Sequence, residues 1–182
     1  MTIKEALNVF YNENDIPNDG GVDDTFFIFK VFGLKLKLPN PEFRRKALYI
    51  HDIQHVVHGC DTSWKGESFI AGWEISTKMW KHIPIGLLGI WAMGYGIWLH
   101  PREVLEGYKK GLLQTGIIDL DSSKKELLSM EISELEKLIL REKEINWEFS
   151  KKLLFIGWIL TSQLILLGPF ALSIWIIIKV LF

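Results

Sequence analysis

Residues 40–67 read NPEFRRKALYIHDIQHVVHGCDTSWKGE, and this stretch holds three of the five histidines in the chain. Asn40 is a natural N-cap residue, and Pro41 is favoured at the first position of a helix. Gly59 is a residue type on which helices commonly end. We therefore predict one helix from Pro41 to about His58.

A second helix is predicted after a short turn. Ser63 closes that turn as an N-cap residue, and the helix it opens is predicted to run from Trp64 to about His82. Two helices joined by a short turn pack antiparallel, which brings Glu67 back towards His55. The sequence thus predicts a mainly α-helical bundle.

Four residues of these helices have the chemistry of metal ligands. His51 and His55 are four residues apart, so both imidazoles project from one helix face. Asp52 lies about 100° round the helix from His51, at the edge of that face. An isolated pair of histidines often only packs or faces solvent, but the added carboxylates of Asp52 and Glu67 favour a divalent metal such as zinc or iron.

His58 and Glu74 lie near the predicted ligand face. Each can support a ligand by a hydrogen bond, act as a surface charge, or transfer a proton during catalysis. Glu67, in a first helical turn, can also simply complement the helix dipole. The motif is not His-Glu-x-x-His, so it lacks the general base of a zinc protease at the required place.

Composition points to a membrane and away from nucleic acid. The chain of 182 residues has a net charge of −1, which gives no field that attracts nucleic acid or an acidic substrate. Its single cysteine, Cys60, excludes an internal disulfide and a multi-cysteine zinc site. Hydrophobic residues make up 48% of the chain and are unevenly spread.

The N-terminal region is predicted to contain a helix and a small β element. Thr2 and Glu5 have capping-box spacing at the start of a helix that ends near Asn12. Residues 25–38 (TFFIFKVFGLKLKL) alternate apolar residues with lysines at their end, and Gly33 marks a bend. A hairpin and one long bent strand both fit. We expect this element to pack on the helices, with contact to lipid headgroups as the alternative.

Two apolar stretches indicate membrane contact. Residues 153–178 form 26 uncharged positions, enough for a transmembrane helix, and Lys151 and Lys152 before them place the N-terminal body in the cytoplasm. The 17 uncharged residues 83–99 are at the lower limit for a span. They fit a core helix, a short span, or a lipid-facing or re-entrant element, and we favour the last.

Between these stretches the sequence predicts a charged amphipathic helix. Ser123 and Glu126 form a second capping-box pair. Leu128, Ile132, Leu135, Ile139 and Ile145 then supply an apolar face, which packs on the body of the protein or self-associates as a stalk. The predicted organisation is a metal-binding helical domain over 1–120, a stalk over 121–150 and a membrane anchor over 151–182.

The pattern His51-Asp52-x-x-His55, eleven residues and then Glu67 resembles the signature of the ubiquinone (coenzyme Q) biosynthesis protein family known as the fourth Coq protein. The resemblance covers roughly residues 1–115, and the chain departs from the family's pattern after that point. The surrounding residues that also follow the pattern are His58-Gly59, Asp61-Thr62, Gly66, Glu74, Pro101, Gly107 and Gly111.

The resemblance implies a mainly helical protein in which His51, Asp52, His55 and Glu67 bind a divalent metal, zinc first, with iron or magnesium as alternatives. It implies a membrane location, a polyprenylated aromatic lipid as ligand, and partners among the other quinone-biosynthesis enzymes. Family members are credited with oxidative removal of the ring carboxyl at C1, a lyase-type activity. Self-association of the chain is a further expectation.

Two other classes of function stay open on the sequence. The protein fits a non-catalytic scaffold that presents a lipid-tailed intermediate to other enzymes. It also fits a membrane-tethered, metal-dependent lipid hydrolase. The absence of a flavin or nicotinamide motif means that any oxidation must draw on oxygen, another metal or a partner.

Overall fold

The computed structural model describes residues 1–31, 33–141 and 147–181, apart from the side chains of 29–31 and 181. As predicted, these residues are mainly α-helical, with a two-stranded antiparallel hairpin near the N-terminus and a long apolar C-terminal helix. The helices and strands, in chain order, are α1 (Ile3–Glu13), β1 (Phe26–Val31), β2 (Leu34–Pro39), α2 (Glu42–His58), α3 (Trp64–Ser76), α4 (Ile85–Leu99), α5 (Pro101–Leu112), α6 (Lys124–Ser129), α7 (Ile132–Ile139) and α8 (Phe149–Leu181).

The chain divides into two compact units. One comprises Met1–Asp61 with Ile117–Ile139, and the other comprises Thr62–Gly116 with Leu140–Phe182. The predicted organisation into 1–120, 121–150 and 151–182 stays a prediction. In the compact units, residues 117–139 belong with the N-terminal helices.

Helix α1 begins as its sequence predicts. Thr2 and Glu5 form a reciprocal capping box, which satisfies two backbone N–H groups at the helix start. Ile3, Leu7 and Phe10 are buried on one face, which contacts α2 and α6. The apolar stripe of α1 therefore belongs to the core of the first unit.

The β element is a hairpin, and the expectation that it packs on the helices is wrong for β2. Phe26 pairs with Pro39 and Val31 with Leu34, so the register is continuous. Five of the six residues of β2 are exposed, and only Leu38 is half-buried. Because β2 is exposed on both of its faces, its lysine–leucine alternation does not mark an inner and an outer face of a core.

Helix α2 ends as predicted but starts differently. Gly59 follows its last residue with a φ of 61°, the left-handed conformation that glycine adopts readily. The prediction that Asn40 caps the start is wrong, because Pro41 is the N-cap residue and no side chain caps the helix. The Asn40 amide instead donates to the carbonyls of Gly21 and Asp24, which ties the loop before β1 to α2.

The single charged helix predicted from Ser123 onwards is also wrong. It is broken into α6, which starts with the predicted Ser123–Glu126 capping box, and α7. The break occurs where Met130 accepts a backbone hydrogen bond from Ile3 and Glu131 pairs with the amino group of Met1. Of the predicted apolar face, Leu135 and Ile139 are buried, whereas Ile145 lies outside the described residues.

In the second unit, α3 packs closely on α5 because glycines stand at the contact. A Cβ on Gly107 would lie 1.9 Å from the Phe69 carbonyl oxygen, and one on Gly72 would lie 2.1 Å from that of Val104. Trp73 of α3 is fully buried, and its indole N–H donates to Gln114 at 2.6 Å. Helix α3 ends at Ser76, earlier than predicted.

Helix α8 is long and apolar enough to span a membrane. Its first half packs on α4, where a Cβ on Gly94 would lie 2.7 Å from the Ser162 carbonyl oxygen and Gln163 donates to the Gly94 carbonyl at 3.0 Å. From Pro169 to Val180 every residue is exposed. Helix α4 has both buried and exposed apolar side chains, and its contact with lipid stays a prediction.

Candidate metal centre

Two of the four predicted ligands face each other within the first unit. His51 and His55 lie one turn apart on α2, close enough for their imidazole nitrogens to bind one divalent ion. His55 is buried, while His51 is half-buried. Glu67 belongs to the second unit, and its ligation of the same ion stays a prediction.

The two histidines are already arranged for a common ligand. The Nε2 atoms of His51 and His55 lie 3.1 Å apart. Zinc–nitrogen bonds of about 2.0 Å at tetrahedral angles place two ligand nitrogens about 3.3 Å apart. The imidazole pair thus has close to the spacing that a tetrahedral ion requires.

Contacts around His55 fix the orientation of its ring. Nδ1 lies 3.3 Å from the Cys60 carbonyl oxygen, and that oxygen can only accept, so Nδ1 carries the proton. The lone pair is then on Nε2, the atom that faces His51. The other support is Phe10 of α1, whose ring stacks on the imidazole at a centroid distance of 5.6 Å.

Glu67, the predicted ligand in the second unit, lies in the first turn of α3. Ser63 caps this helix by accepting from the backbone N–H of Gly66, and the N–H of Glu67 donates to the Ser63 carbonyl. The side chain of Glu67 therefore projects from a turn whose backbone is held in place. A carboxylate in a first helical turn is also stabilised by the helix dipole.

Asp52, the fourth predicted ligand, has a different partner. Its carboxylate accepts a hydrogen bond from the Tyr11 hydroxyl at 2.9 Å. Burial raises the pKa of Asp52, against the opposing influence of His51 and of the Tyr11 hydrogen bond. Burial, followed by the charge of Asp52, raises the pKa of the Tyr11 hydroxyl. Direct ligation by Asp52 stays a prediction.

The loop between α1 and β1 closes over this hydrogen bond. Gly20 has a φ of 75°, and a Cβ there would lie 2.8 Å from the Tyr11 hydroxyl oxygen and 2.9 Å from Asp52 Oδ2. Only glycine allows the backbone to approach so closely in that conformation. The pair of Tyr11 and Asp52 is thereby shielded from water.

The two predicted proton-transfer residues lie on α2 and on α3. His58 is in the last turn of α2, and both of its ring nitrogens are shielded from solvent. Glu74 is 5% exposed on α3, and its Oε2 lies 2.6 Å from the position of a Cβ on Gly89 in α4. Their roles in proton transfer stay predictions.

Sequence reasoning missed the contribution of α1 to this site. Phe10 and Tyr11 are adjacent, so one supports His55 and the other holds Asp52. The available signal was a tyrosine on the buried side of an amphipathic helix, since a buried hydroxyl usually has a hydrogen-bond partner. The partner itself is 41 residues away and has no local signature.

Searches of protein-family models, curated proteins and solved structures find no significant match to the chain. The site is therefore interpreted from its own geometry.

Proposed function

We propose that this chain is a membrane-associated metal-binding protein that holds a polyprenylated aromatic acid and takes part in the biosynthesis of ubiquinone or a related prenylated quinone. The observation that carries the proposal is the pair of His51 and His55 on α2, whose Nε2 atoms lie 3.1 Å apart. The apolar helix α8 supports the membrane location. The resemblance of the histidine–carboxylate pattern to the ubiquinone biosynthesis family supports the pathway.

Zinc suits this donor set best. Nitrogen and oxygen donors in a three-residue group fit the zinc sites that keep a position open for a non-protein ligand. Iron binds similar sets, and magnesium prefers oxygen donors, so it fits less well. A bound metal would supply Lewis acidity towards a carboxylate or phenol oxygen of the ligand.

The substrate class follows from the combination of a polar site and a membrane helix. A prenylated hydroxybenzoate has a carboxylate and a phenol at one end and an isoprenoid tail at the other. The residues His51, His55 and Glu67 would hold the head, while the tail stays in an apolar environment. The buried pair of Tyr11 and Asp52 would keep α2 in register with α1 and so hold the histidines in position.

The chemistry proposed for this head is replacement of the ring carboxyl at C1 by hydroxyl. The carbon–carboxyl bond breaks with loss of CO₂, and a carbon–oxygen bond forms at the same ring carbon. With water as the source of the hydroxyl oxygen, the replacement releases two protons and two electrons, which pass to dioxygen to give hydrogen peroxide or to a partner oxidoreductase. The chain's part is to bind and orient the head.

Release of CO₂ from a carboxyl-labelled prenylated hydroxybenzoate tests this proposal. The full chain in lipid vesicles, with dioxygen and cell membranes that supply partner enzymes, is expected to release label. His51→Ala is expected to lower the rate by more than about a hundredfold, since even partners of metal ligands affect activity by up to that factor. His100→Gln, a histidine outside the site, serves as the matched control.

The same variants separate the alternative functions. If His51→Ala fully restores quinone synthesis in cells that lack the protein, then the chain is a scaffold and the catalytic proposal is wrong. If the purified protein releases phosphate or fatty acid from lipid extracts, then the hydrolase alternative replaces it. Label release that is equal in His51→Ala and His100→Gln would also contradict the proposal.

A further inference from the structure

The hairpin of β1 and β2 has an apolar face that is exposed to solvent along β2. Side chains alternate between the two faces of a strand, so Leu34, Leu36 and Leu38 share one face with Phe27, the partner of Leu38. Leu34 is 61% exposed and Leu36 is 40% exposed, whereas Leu38 is half-buried. The exposure therefore rises from the root of the hairpin towards its turn.

The charges of the hairpin are all of one sign. Residues 25–39 contain the three lysines Lys30, Lys35 and Lys37 and no acidic residue. Lys35 and Lys37 are exposed, and the ammonium of Lys37 lies 4.8 Å from the centre of the Phe26 ring. Lys35 and Lys37 project from the opposite face of β2 to the leucines, but their long, flexible side chains can extend past the strand edge towards an anionic surface. An apolar face flanked by such lysines, with no acidic residue in the hairpin, is complementary to an anionic surface with an apolar interior.

We propose that this hairpin docks on the surface of an anionic lipid bilayer, with Leu34 and Leu36 in the acyl region and the lysines at the phosphate groups. The proposal rests on the membrane location of the chain but not on the metal. The hairpin lies at the interface and does not cross, because open sheet edges leave backbone groups that hydrocarbon cannot satisfy. The headgroup region supplies water and phosphate for those groups.

A second copy of the chain fits this face less well than lipid does. Pairing two hairpins edge to edge would bring six lysines together without an acid from either hairpin, because each contributes three. Lysines along an exposed strand also disfavour edge-to-edge pairing of sheets. Anionic headgroups neutralise these charges instead of opposing them.

A fluorescent label on the hairpin tests the contact in the full chain. Leu36→Cys in a Cys60→Ser background carries a nitrobenzoxadiazole label, and the protein is reconstituted into phosphatidylcholine vesicles with or without phosphatidylglycerol. In anionic vesicles we expect the emission to shift to the blue and to be quenched by doxyl groups on acyl chains. Ser133→Cys in the same background, an exposed polar position of α7, is the matched control and is expected to stay in water.

Neutralising the lysines tests the charge. Each lysine near an anionic surface favours the lipid-bound state about fivefold. The double variant Lys35→Gln, Lys37→Gln is therefore expected to lower the ratio of lipid-bound to free label roughly thirtyfold. A label that stays in water while the protein floats with the vesicles would overturn the docking proposal alone. A blue shift that increases with the amount of protein per vesicle and also occurs in detergent would indicate that the face contacts a second copy of the chain. That result would overturn the docking proposal. Protein that does not float with either kind of vesicle would overturn both this docking and the membrane location.

Discussion

At the residue scale, the site depends on which group each polar side chain faces, and chain spacing determines this only in part. His51 and His55 are four residues apart on α2, so their meeting follows from helix geometry. Asp52 is just as close in sequence, yet its carboxylate accepts from Tyr11 of α1. The histidine pair could be predicted from the sequence, whereas the partner of Asp52 depends on how two helices pack.

The hydrogen bond from Tyr11 to Asp52 is expected to stabilise the first unit. Tyr11→Phe removes the hydroxyl that donates to the buried carboxylate of Asp52. Because a buried carboxylate oxygen then loses this hydrogen bond, the free energy of unfolding should fall by about 1–3 kcal/mol. Denaturant unfolding followed by circular dichroism in detergent measures this. Tyr49→Phe, a half-buried tyrosine of α2, is the control and should change it by less than about 0.5 kcal/mol. Equal effects of the two variants would contradict the assigned role of Tyr11.

At the element scale, boundaries set by local capping could be predicted and those set by distant contacts could not. The capping boxes at Thr2 and Ser123 and the glycine end of α2 involve residues that are close in sequence. The cap predicted at Asn40 failed because loop carbonyls 16 and 19 residues away accept from its amide. The helix predicted beyond Ser123 is broken where the chain start pairs with Glu131.

The contact of α4 with α8 makes an element-scale prediction. A side chain at Gly94 would meet the Ser162 carbonyl oxygen, so Gly94→Leu should force the helices apart and cost about 1–3 kcal/mol. Loss of thermal stability, together with faster proteolysis of α8 in detergent, measures the effect. Gly157→Leu adds the same side chain to α8 at a point with no neighbour within 4 Å and should leave both unchanged. A Gly94→Leu protein as stable as Gly157→Leu would contradict this packing.

At the scale of the whole molecule, the long apolar helix follows from the sequence alone. The sequence predicts a membrane helix over residues 153–178, and α8 extends from Phe149 to Leu181. Length and hydropathy are properties of the segment itself, so no distant contact is needed to identify it. The division into units could not be read in this way, because residues 117–139 join the N-terminal helices only through tertiary contacts.

Insertion of α8 makes a prediction for the whole molecule. Leu164 is 74% exposed on this helix, and Leu164→Arg should disfavour insertion by about 3 kcal/mol. Extraction of membranes with alkaline carbonate is expected to release this variant and not the wild-type chain. Leu140→Arg, at an exposed apolar residue before α8, is the control and should stay in the membrane. Release of the wild-type protein by carbonate would contradict a spanning α8.

Metal analysis of the purified full chain tests the central claim most directly, since the proposed function depends on an ion bound by the His51–His55 pair, with Glu67 as its predicted third ligand. We expect about one divalent ion per chain, zinc first, by mass spectrometry after dialysis. His55→Ala combined with Glu67→Ala should lose the ion, while His100→Gln should keep it. Wild-type protein without stoichiometric metal, or a double variant that retains it, would contradict the account.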